Sequence, residues 1–265
     1  MQLLQNPQLD LAFEYVNNTH AHIFLTGKAG TGKTTFLQRI RAECIKRMAV
    51  VAPTGVAAIN AGGMTIHSLF QLPFGPYLPG NRSDAARQRR FSGDKIRLIR
   101  SLDLLVIDEI SMVRADLLDG IDDVLRRYRD YAKPFGGVQL LMIGDLHQLS
   151  PVAKEEEWAL LRPHYDTPYF FSSQALRQAQ PVVIELKHIY RQSDSTFIDL
   201  LNKVRDRQID AAVLETLNSR YIPHFKPDEN EAYITLSTHN ATAQDINISR
   251  LASTPGSAYL FNAQT

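Results

Sequence analysis

The stretch Gly27-Lys28-Ala29-Gly30-Thr31-Gly32-Lys33-Thr34 has the residue types and spacing of a loop that binds nucleotide phosphates. Its glycines let the backbone turn so that several N–H groups face one anion. Lys33 adds a mobile positive charge, and the Thr34 hydroxyl is a ligand that suits Mg²⁺. The residues expected to contact the nucleotide are Gly27, Ala29, Gly30, Thr31, Gly32, Lys33, Thr34 and Thr35.

Flanking residues predict a strand before this loop and a helix after it. Residues 22–26 form a short apolar run, and apolar side chains recur at helical spacing after the loop, at Phe36, Leu37, Ile40 and Cys44. Strand, loop and helix is the arrangement in which a helix N-terminus meets the phosphates. A glycine-rich turn without a ligand is the alternative that the motif alone leaves open.

Two adjacent carboxylates, Asp108 and Glu109, follow the apolar run 104–107. Parallel sheets place ligands at the carboxyl ends of their strands, where the phosphate loop also lies. We therefore assign Asp108 to magnesium and Glu109 to a general base for the attacking water. The alternative is that both acids only cap the next helix.

Two further side chains are candidates for the same chemistry. Gln148 follows the apolar run 138–143, and its amide could hydrogen-bond a phosphate or the attacking water. Arg191 lies later in the chain and could stabilise charge on the transferred phosphate. For Arg191 the sequence leaves an ordinary surface arginine equally open.

Bulk properties exclude several classes of protein. The 265 residues are 44% hydrophobic, which suits a globular protein with a substantial core. Its one cysteine, Cys44, excludes a disulfide framework and favours a reducing, cytoplasmic compartment, so we expect no disulfide partner. No apolar stretch is long enough to cross a membrane, and residues 1–13 lack the pattern of a signal peptide.

The net charge of the chain is only +1, but its positive charge is concentrated in one strongly basic segment. Residues 82–100 contain seven basic and two acidic side chains, a charge of +5 that leaves −4 for the rest. Such a patch is typical of contact with a nucleic-acid backbone. Charge alone leaves a solvated protein surface as the alternative.

Alternating strand-like runs and helical patterns predict a doubly wound α/β fold with a parallel sheet. Residues 71–100 interrupt the alternation with proline, glycine and basic residues and read as an insertion. We expect a second unit from about Pro181, with strands at 182–186, 232–236 and 258–261 and helices at 195–205 and from about Asn240. So few strands suggest that this unit is incomplete.

Six segments occur in an order that resembles superfamily-one DNA helicases, and most closely the Pif-one family, relatives of the RecD-type helicases. They are residues 27–34, 52–58, 65–70, 108–111, 144–151 and 190–192, and residues 108–129 are similar to that family's signature segment. This resemblance implies a RecA-like P-loop NTPase that uses ATP and Mg²⁺. It also implies 5′-to-3′ helicase activity on single-stranded and forked DNA, with roles in DNA repair, recombination and telomere maintenance.

The resemblance also assigns domains and residues. It implies a first RecA-like ATPase domain at 1–180, with an insertion at about 71–100 that helps to split the duplex. The start of an incomplete second RecA-like domain would occupy 181–265, and Arg191 would reach the γ-phosphate from there. Gln148 would couple nucleotide state to motion, and Asp10 stands by spacing where the family often has an adenine-recognising glutamine. The single-stranded DNA path would be lined by Pro53, Thr54, Gly55, His67 and Ser68.

Two other functions remain open at this point. An incomplete second unit would suit a nucleotide-switched DNA-binding module without efficient turnover. A small-molecule kinase or metabolic ATPase would need the phosphate loop, but it would not need residues 54–70 or 144–151.

Overall fold

The computed structural model describes residues 6–78, 91–190, 195–225, 233–257 and 259. The chain divides into two compact units, Met1–Arg207 and Gln208–Thr265.

The first unit is built on a parallel sheet whose strand order is β3-β2-β4-β5-β1-β6. The strands are β1 (Ile23–Gly27), β2 (Met48–Ala52), β3 (Met64–Thr65), β4 (Leu104–Ile107), β5 (Gln139–Gly144) and β6 (Val182–Leu186). The helices are α1 (Pro7–Asn18), α2 (Lys33–Glu43), α3 (Gly55–Ala61), α4 (Ile66–Phe70), α5 (Gly93–Ser101), α6 (Ala115–Tyr128), α7 (Glu155–Leu161), α8 (Gln174–Ala179) and α9 (Ser195–Arg205). The parallel α/β architecture expected from the sequence is therefore confirmed.

Apolar side chains on both faces of the central strands explain this architecture. Leu105 and Ile107 of β4 belong to one core cluster, and Leu104 and Val106 belong to the other. Successive residues of a strand point to opposite faces, so an uninterrupted apolar run requires cover on both sides. The sheet thus lies between two helical layers, with its strand ends free to carry loops.

Polar caps fix where the helices of the ligand-facing loops begin. Thr54 accepts a hydrogen bond from the amide of Ala57 at the start of α3, and Thr65 accepts one from Ser68 at the start of α4. Each cap satisfies an amide that the first helical turn would leave unpaired. The loops after β2 and β3 therefore turn directly into helices at the sheet edge.

Strand β6 corrects one expectation from the sequence. Residues Val182–Leu186 were assigned to the second unit, but β6 pairs in parallel with β1 and completes the first sheet. Helix α9 also lies in the unit Met1–Arg207, so the division falls after Arg207 and not at 180–181. The alternating burial of β6 suits an edge strand, and a sequence pattern cannot tell which sheet that edge belongs to.

The second unit contains two helices in its described residues, α10 (Ala211–Asn218) and α11 (Asn240–Ser253). The strand expected at 232–236 is not formed at the described positions 233–236, where Ile234 and Leu236 are exposed. A strand needs a hydrogen-bonding neighbour, and the described part of this unit supplies none. The strand expected at 258–261 lies outside the described residues except for Tyr259.

Within the described ranges, no helix combines the length and the apolar character needed to cross a lipid bilayer.

Candidate functional site

The loop between β1 and α2 has the backbone of a phosphate cradle. Gly30 and Gly32 have φ angles of 80° and 93°, which residues with a Cβ rarely adopt. A Cβ at Gly27 would lie 2.7 Å from the carbonyl oxygen of Leu186, so β6 closes one side of the loop. The buried Thr31 hydroxyl donates to the Lys28 carbonyl at 2.8 Å and holds the turn in place. Since α2 begins at Lys33, its free N-terminal amides lie at this loop.

Lys33 lies against its own loop. Its Nζ donates to the carbonyl oxygens of Gly27 at 2.6 Å and Lys28 at 3.1 Å. Burial lowers the pKa of Lys33, while the charges of Asp145 and Glu109 oppose that decrease. This coupling agrees with the strand order, since β4, β5 and β1 are parallel neighbours and the loops that follow them lie at one edge of the sheet.

Asp108 and Glu109 follow β4, two strands away from the phosphate loop in the sheet. Burial raises the pKa of Asp108, and burial followed by the charge of Asp108 raises the pKa of Glu109. The Glu109 amide donates to Asp108 Oδ1 at 3.0 Å. Glu109 has a φ of 52°, a strained left-handed conformation that is often found at functional sites.

Asp145, directly after β5, organises the third loop. Its side chain is 1% exposed and accepts hydrogen bonds from the His147 amide at 3.0 Å and from Gln148 Nε2 at 3.3 Å. Arg205 of α9 donates to both carboxylate oxygens, at 2.5 and 2.8 Å. Burial alone would raise the pKa of Asp145, but the hydrogen bonds from Arg205 and His147 keep it below its usual value.

A cavity of about 360 Å³ lies between α9 and these loops. It is lined by Lys28 and Gly30 of the phosphate loop, Asp145 and Gln148 of the β5 loop, and Arg205. Carboxylate, amide and basic groups thus converge next to the phosphate cradle. Apolar side chains of α9, namely Ile198, Leu201 and Val204, complete the lining together with Ile189.

The residues predicted to bind magnesium offer hard oxygen donors, the type that Mg²⁺ prefers. The Asp108 carboxylate keeps Oδ2 available when Oδ1 accepts the Glu109 amide, and Thr34 stands in the first turn of α2. In the described residues, no three or more His, Cys, Asp or Glu side chains are grouped so that they could hold a metal ion by themselves. The donor set therefore fits an ion that is bound together with nucleotide phosphates.

Arg191 lies outside the described residues, so its predicted contact with phosphate stays a prediction. The preceding residue, Tyr190, donates its amide to the Gly30 carbonyl at 2.8 Å. Its ring lies 3.7 Å from the position that a Cβ on Gly32 would occupy. The chain just before Arg191 is thus fixed to the phosphate loop.

The residues predicted to line a DNA path lie at the same carboxyl edge of the sheet, beside strands β2 and β3 on the side away from β1. Pro53, Thr54 and Gly55 follow β2, whose parallel neighbour β3 leads into His67 and Ser68. Space around the position of a Cβ on Gly55 is open. Small residues and exposed backbone of this kind suit contact with a nucleic-acid backbone without selection of sequence.

An aromatic pair extends this face. The His67 ring stacks on Phe74, with centroids 4.9 Å apart, and the Phe74 side chain is 90% exposed. Burial, and then the charge of Arg114, lowers the pKa of His67. Arg114 also donates to the Gly75 carbonyl at 3.0 Å, which fixes the segment that presents Phe74.

The basic segment is only partly described, because residues 79–90 lie outside the described ranges. Lys95 donates to the Ser68 carbonyl at 2.7 Å, Arg97 pairs with Asp94, and Arg100 donates to the Tyr128 carbonyl at 3.3 Å. These three side chains therefore also serve structural contacts. Helix α5 is attached to the face formed by α4 through Lys95.

Sequence reasoning missed the contribution of α9 to this site. Arg205 binds Asp145, and Asn202 Oδ1 accepts from Lys28 Nζ at 2.9 Å, across 60 and 174 positions of sequence. No motif marks these residues. Asp10, which stands at the adenine-recognition position by spacing, pairs with Arg39 at 2.9 Å.

Comparison with known proteins gives one consistent result. The family model for PIF1-like helicase matches residues 4–215. The chain is 36% identical over 252 residues to the ATP-dependent DNA helicase PIF1 of Saccharomyces cerevisiae, covering 91% of this chain and 28% of that protein. It is 36% identical over 248 residues to ATP-dependent DNA helicase PIF1 of Homo sapiens, covering 91% of this chain and 36% of that protein.

A solved structure agrees in fold as well as in sequence. The crystal structure of a Bacteroides Pif1 helicase in complex with ADP-AlF3 and single-stranded DNA superposes with a TM-score of 0.88 at 39% identity, covering 97% of this chain and 59% of that one. The chain therefore spans less than two thirds of each of these relatives. Because the family model matches most of the sequence and the fold agrees throughout, this chain belongs to the PIF1-like helicase family.

Proposed function

We propose that this chain carries the ATP-hydrolysing core of a 5′-to-3′ DNA helicase, which translocates on single-stranded DNA and unwinds forked duplexes. It would act in the cellular compartment that contains the chromosomal DNA. The observation that carries the proposal is the strand order β4-β5-β1, because neighbouring parallel strands bring the loops with Lys33, Glu109 and Asp145 to one edge of the sheet. A Bacteroides relative was crystallised with ADP-AlF3 and single-stranded DNA, which supports the same two ligands here.

Hydrolysis follows from the chemistry of these side chains. Lys33 exchanges its bonds to two loop carbonyls for the β- and γ-phosphate oxygens of ATP. Glu109 accepts a proton from the attacking water, a role that suits a carboxylate whose pKa is raised by burial and by the charge of Asp108. Gln148 orients that water or contacts the γ-phosphate. Thr34 and Asp108 would hold Mg²⁺, which neutralises charge on the phosphates.

Two further roles complete the proposal. Arg191 stabilises negative charge on the transferred phosphate, as an arginine supplied from a neighbouring segment does in other phosphoryl transfers. Pro53, Thr54, Gly55, His67 and Ser68 hold single-stranded DNA at the ends of β2 and β3. We assign most of this machinery to a first RecA-like domain, and we assign the unit Gln208–Thr265 to the start of a second one.

The test is phosphate release by the protein with and without single-stranded DNA. We expect DNA to stimulate release, and we expect Lys33→Ala and Glu109→Gln to abolish it. The matched controls are Lys133→Ala and Glu156→Gln, since both side chains are exposed and lie outside the motifs. Forks with a 5′ or a 3′ tail then test the direction of unwinding.

Each outcome separates the candidate functions. Absence of stimulation by any single-stranded DNA would reject the helicase. Nucleotide-dependent DNA affinity without phosphate release would favour a nucleotide-switched DNA-binding module. Unwinding only of forks with a 3′ tail would reject the proposed direction.

A further inference from the structure

Asp145 connects α9 to the side chain that is proposed to sense the nucleotide. Gln148 Nε2 and Arg205 Nη1 both donate to Asp145 Oδ2, at 3.3 and 2.5 Å. The Gln148 amide also donates to the Asp145 carbonyl at 2.9 Å. A shift of Arg205 therefore moves the carboxylate that accepts the hydrogen bond from the Gln148 side chain.

Helix α9 also contacts the phosphate loop itself. Lys28 Nζ donates to Asn202 Oδ1 at 2.9 Å and lies 3.7 Å from an Asp206 carboxylate oxygen. The end of α9 is thus fixed at two points, one on each loop that flanks the cavity of about 360 Å³.

The Asp145–Arg205 pair is more than a surface contact. The carboxylate side chain is 1% exposed and the guanidinium 19%, so solvent screens their attraction little. A pair that served stability alone would be replaceable by apolar groups of the same volume. Here the carboxylate also fixes the His147 amide and the Gln148 side chain, which gives the pair a geometric role.

We propose that Arg205 is a positioning residue for ATP hydrolysis, which acts through Asp145 to hold Gln148 in its reactive orientation. This inference rests on the proposed function for the step that Gln148 serves. It adds a residue of α9 to the machinery, near the end of the helix that also contacts Lys28 of the phosphate loop. Arg205 itself need not touch the nucleotide.

Two measurements test this role on Arg205→Gln, Arg205→Lys and Lys203→Gln, the last being a control that removes an exposed charge from the same helix. In Arg205→Gln we expect kcat for DNA-stimulated phosphate release to fall by about tenfold to a hundredfold while KM for ATP changes by less than about twofold. Arg205→Lys should recover part of the loss, because one of two hydrogen bonds returns. Lys203→Gln should behave as the wild type.

Hydrogen exchange gives a readout that does not depend on turnover. In Arg205→Gln the amides of His147 and Gln148 should exchange about tenfold faster, while the Thr31 amide, which donates to Lys28, should keep its rate. The double variant Arg205→Gln/Asp145→Asn should lower kcat no further than the single variant with the larger decrease. The two substitutions are not additive because both break the same Arg205–Asp145–Gln148 contacts.

The results separate this inference from the proposed function. Unchanged exchange at His147 and Gln148, an unchanged kcat in Arg205→Gln, or additive losses in the double variant would each overturn the role of Arg205. A wild-type protein without DNA-stimulated turnover would reject the helicase activity, and the exchange rates would then decide alone whether Arg205 positions Gln148.

Discussion

Removal of the Arg114 side chain should destabilise the protein strongly. Arg114 donates to both oxygens of Asp116 at 2.9 and 2.8 Å, to Glu157 at 2.6 Å and to the Gly75 carbonyl at 3.0 Å. Asp116 is 1% exposed, and apart from Arg114 it is bonded to the Tyr77 amide at 2.8 Å. Arg114→Met therefore leaves a buried carboxylate without its cation, which costs about 3–5 kcal/mol. For a unit of this size that is a fall in Tm of about 6–20 °C.

The assay is thermal and urea unfolding followed by circular dichroism. Arg97→Met is the matched control, because Arg97 pairs with Asp94 on an exposed surface and should change stability by less than about 1 kcal/mol. The double variant Arg114→Met/Asp116→Leu should regain at least about 1 kcal/mol, since it removes the unpaired charge. If Arg114→Met is no less stable than Arg97→Met, or if the double variant loses further stability, the reasoning is refuted.

Three other predictions concern separate parts of the chain. Asp103→Asn should lower the free energy of unfolding by at most about 1 kcal/mol near pH 6. The reason is that hydrogen bonds from Arg47 lower the pKa of Asp103 from 3.8 to about 2. That stabilisation is present above the unfolded pKa of Asp103 and is lost as pH falls through about 2. Urea unfolding at a series of pH values should therefore show the free energies of unfolding of the wild type and Asp103→Asn converge at low pH. A difference that stays constant with pH would contradict this prediction. Gly144→Ala should lower the free energy of unfolding by about 1–3 kcal/mol, since the new Cβ would lie 2.8 Å from Ile110 Cγ2. Gly93→Ala is the control and should have little effect in thermal unfolding, because its Cβ would lie 3.9 Å from the nearest atom, Arg97 Nη1. Equal effects of the two substitutions would exclude steric overlap as the cause. Magnesium and ADP at a hundred times Kd should stabilise the wild type by about 2.7 kcal/mol in scanning calorimetry and should not stabilise Lys33→Ala; a retained shift would remove Lys33 from the nucleotide site.

Local motifs were sufficient to predict that the three loops of this candidate site follow strands of one parallel sheet. The residues around Lys33, Asp108 and Gln148 each follow a buried strand, and parallel strands bring their carboxyl ends to one edge. The sequence therefore determined which edge bears the chemistry without any knowledge of strand order. That order, with β4, β5 and β1 adjacent, then brings the three loops together.

Long-range pairings were not predictable in the same way. Val182–Leu186 reads as a strand, but whether it pairs with β1 or with a later strand depends on loop closure across the whole unit. In the sequence, Arg205 looks like any basic residue at a helix C-terminus, where its positive charge would interact favourably with the helix dipole even without an acidic partner. Its hydrogen bonds to Asp145 depend on how α9 packs beside the loop that follows β5, which the sequence does not reveal.

The sheet also links the nucleotide loops to the face proposed for DNA. Strand β4 lies between β2 and β5, and the Asp108 amide donates to the Val51 carbonyl at 2.9 Å. Thr54 lies three residues after Val51, so the acid proposed to hold magnesium is one hydrogen bond and a short backbone segment from the proposed DNA path. We therefore expect a displacement of Asp108 on nucleotide binding to reach Thr54, because β4 is fully buried and closely packed and resists deformation.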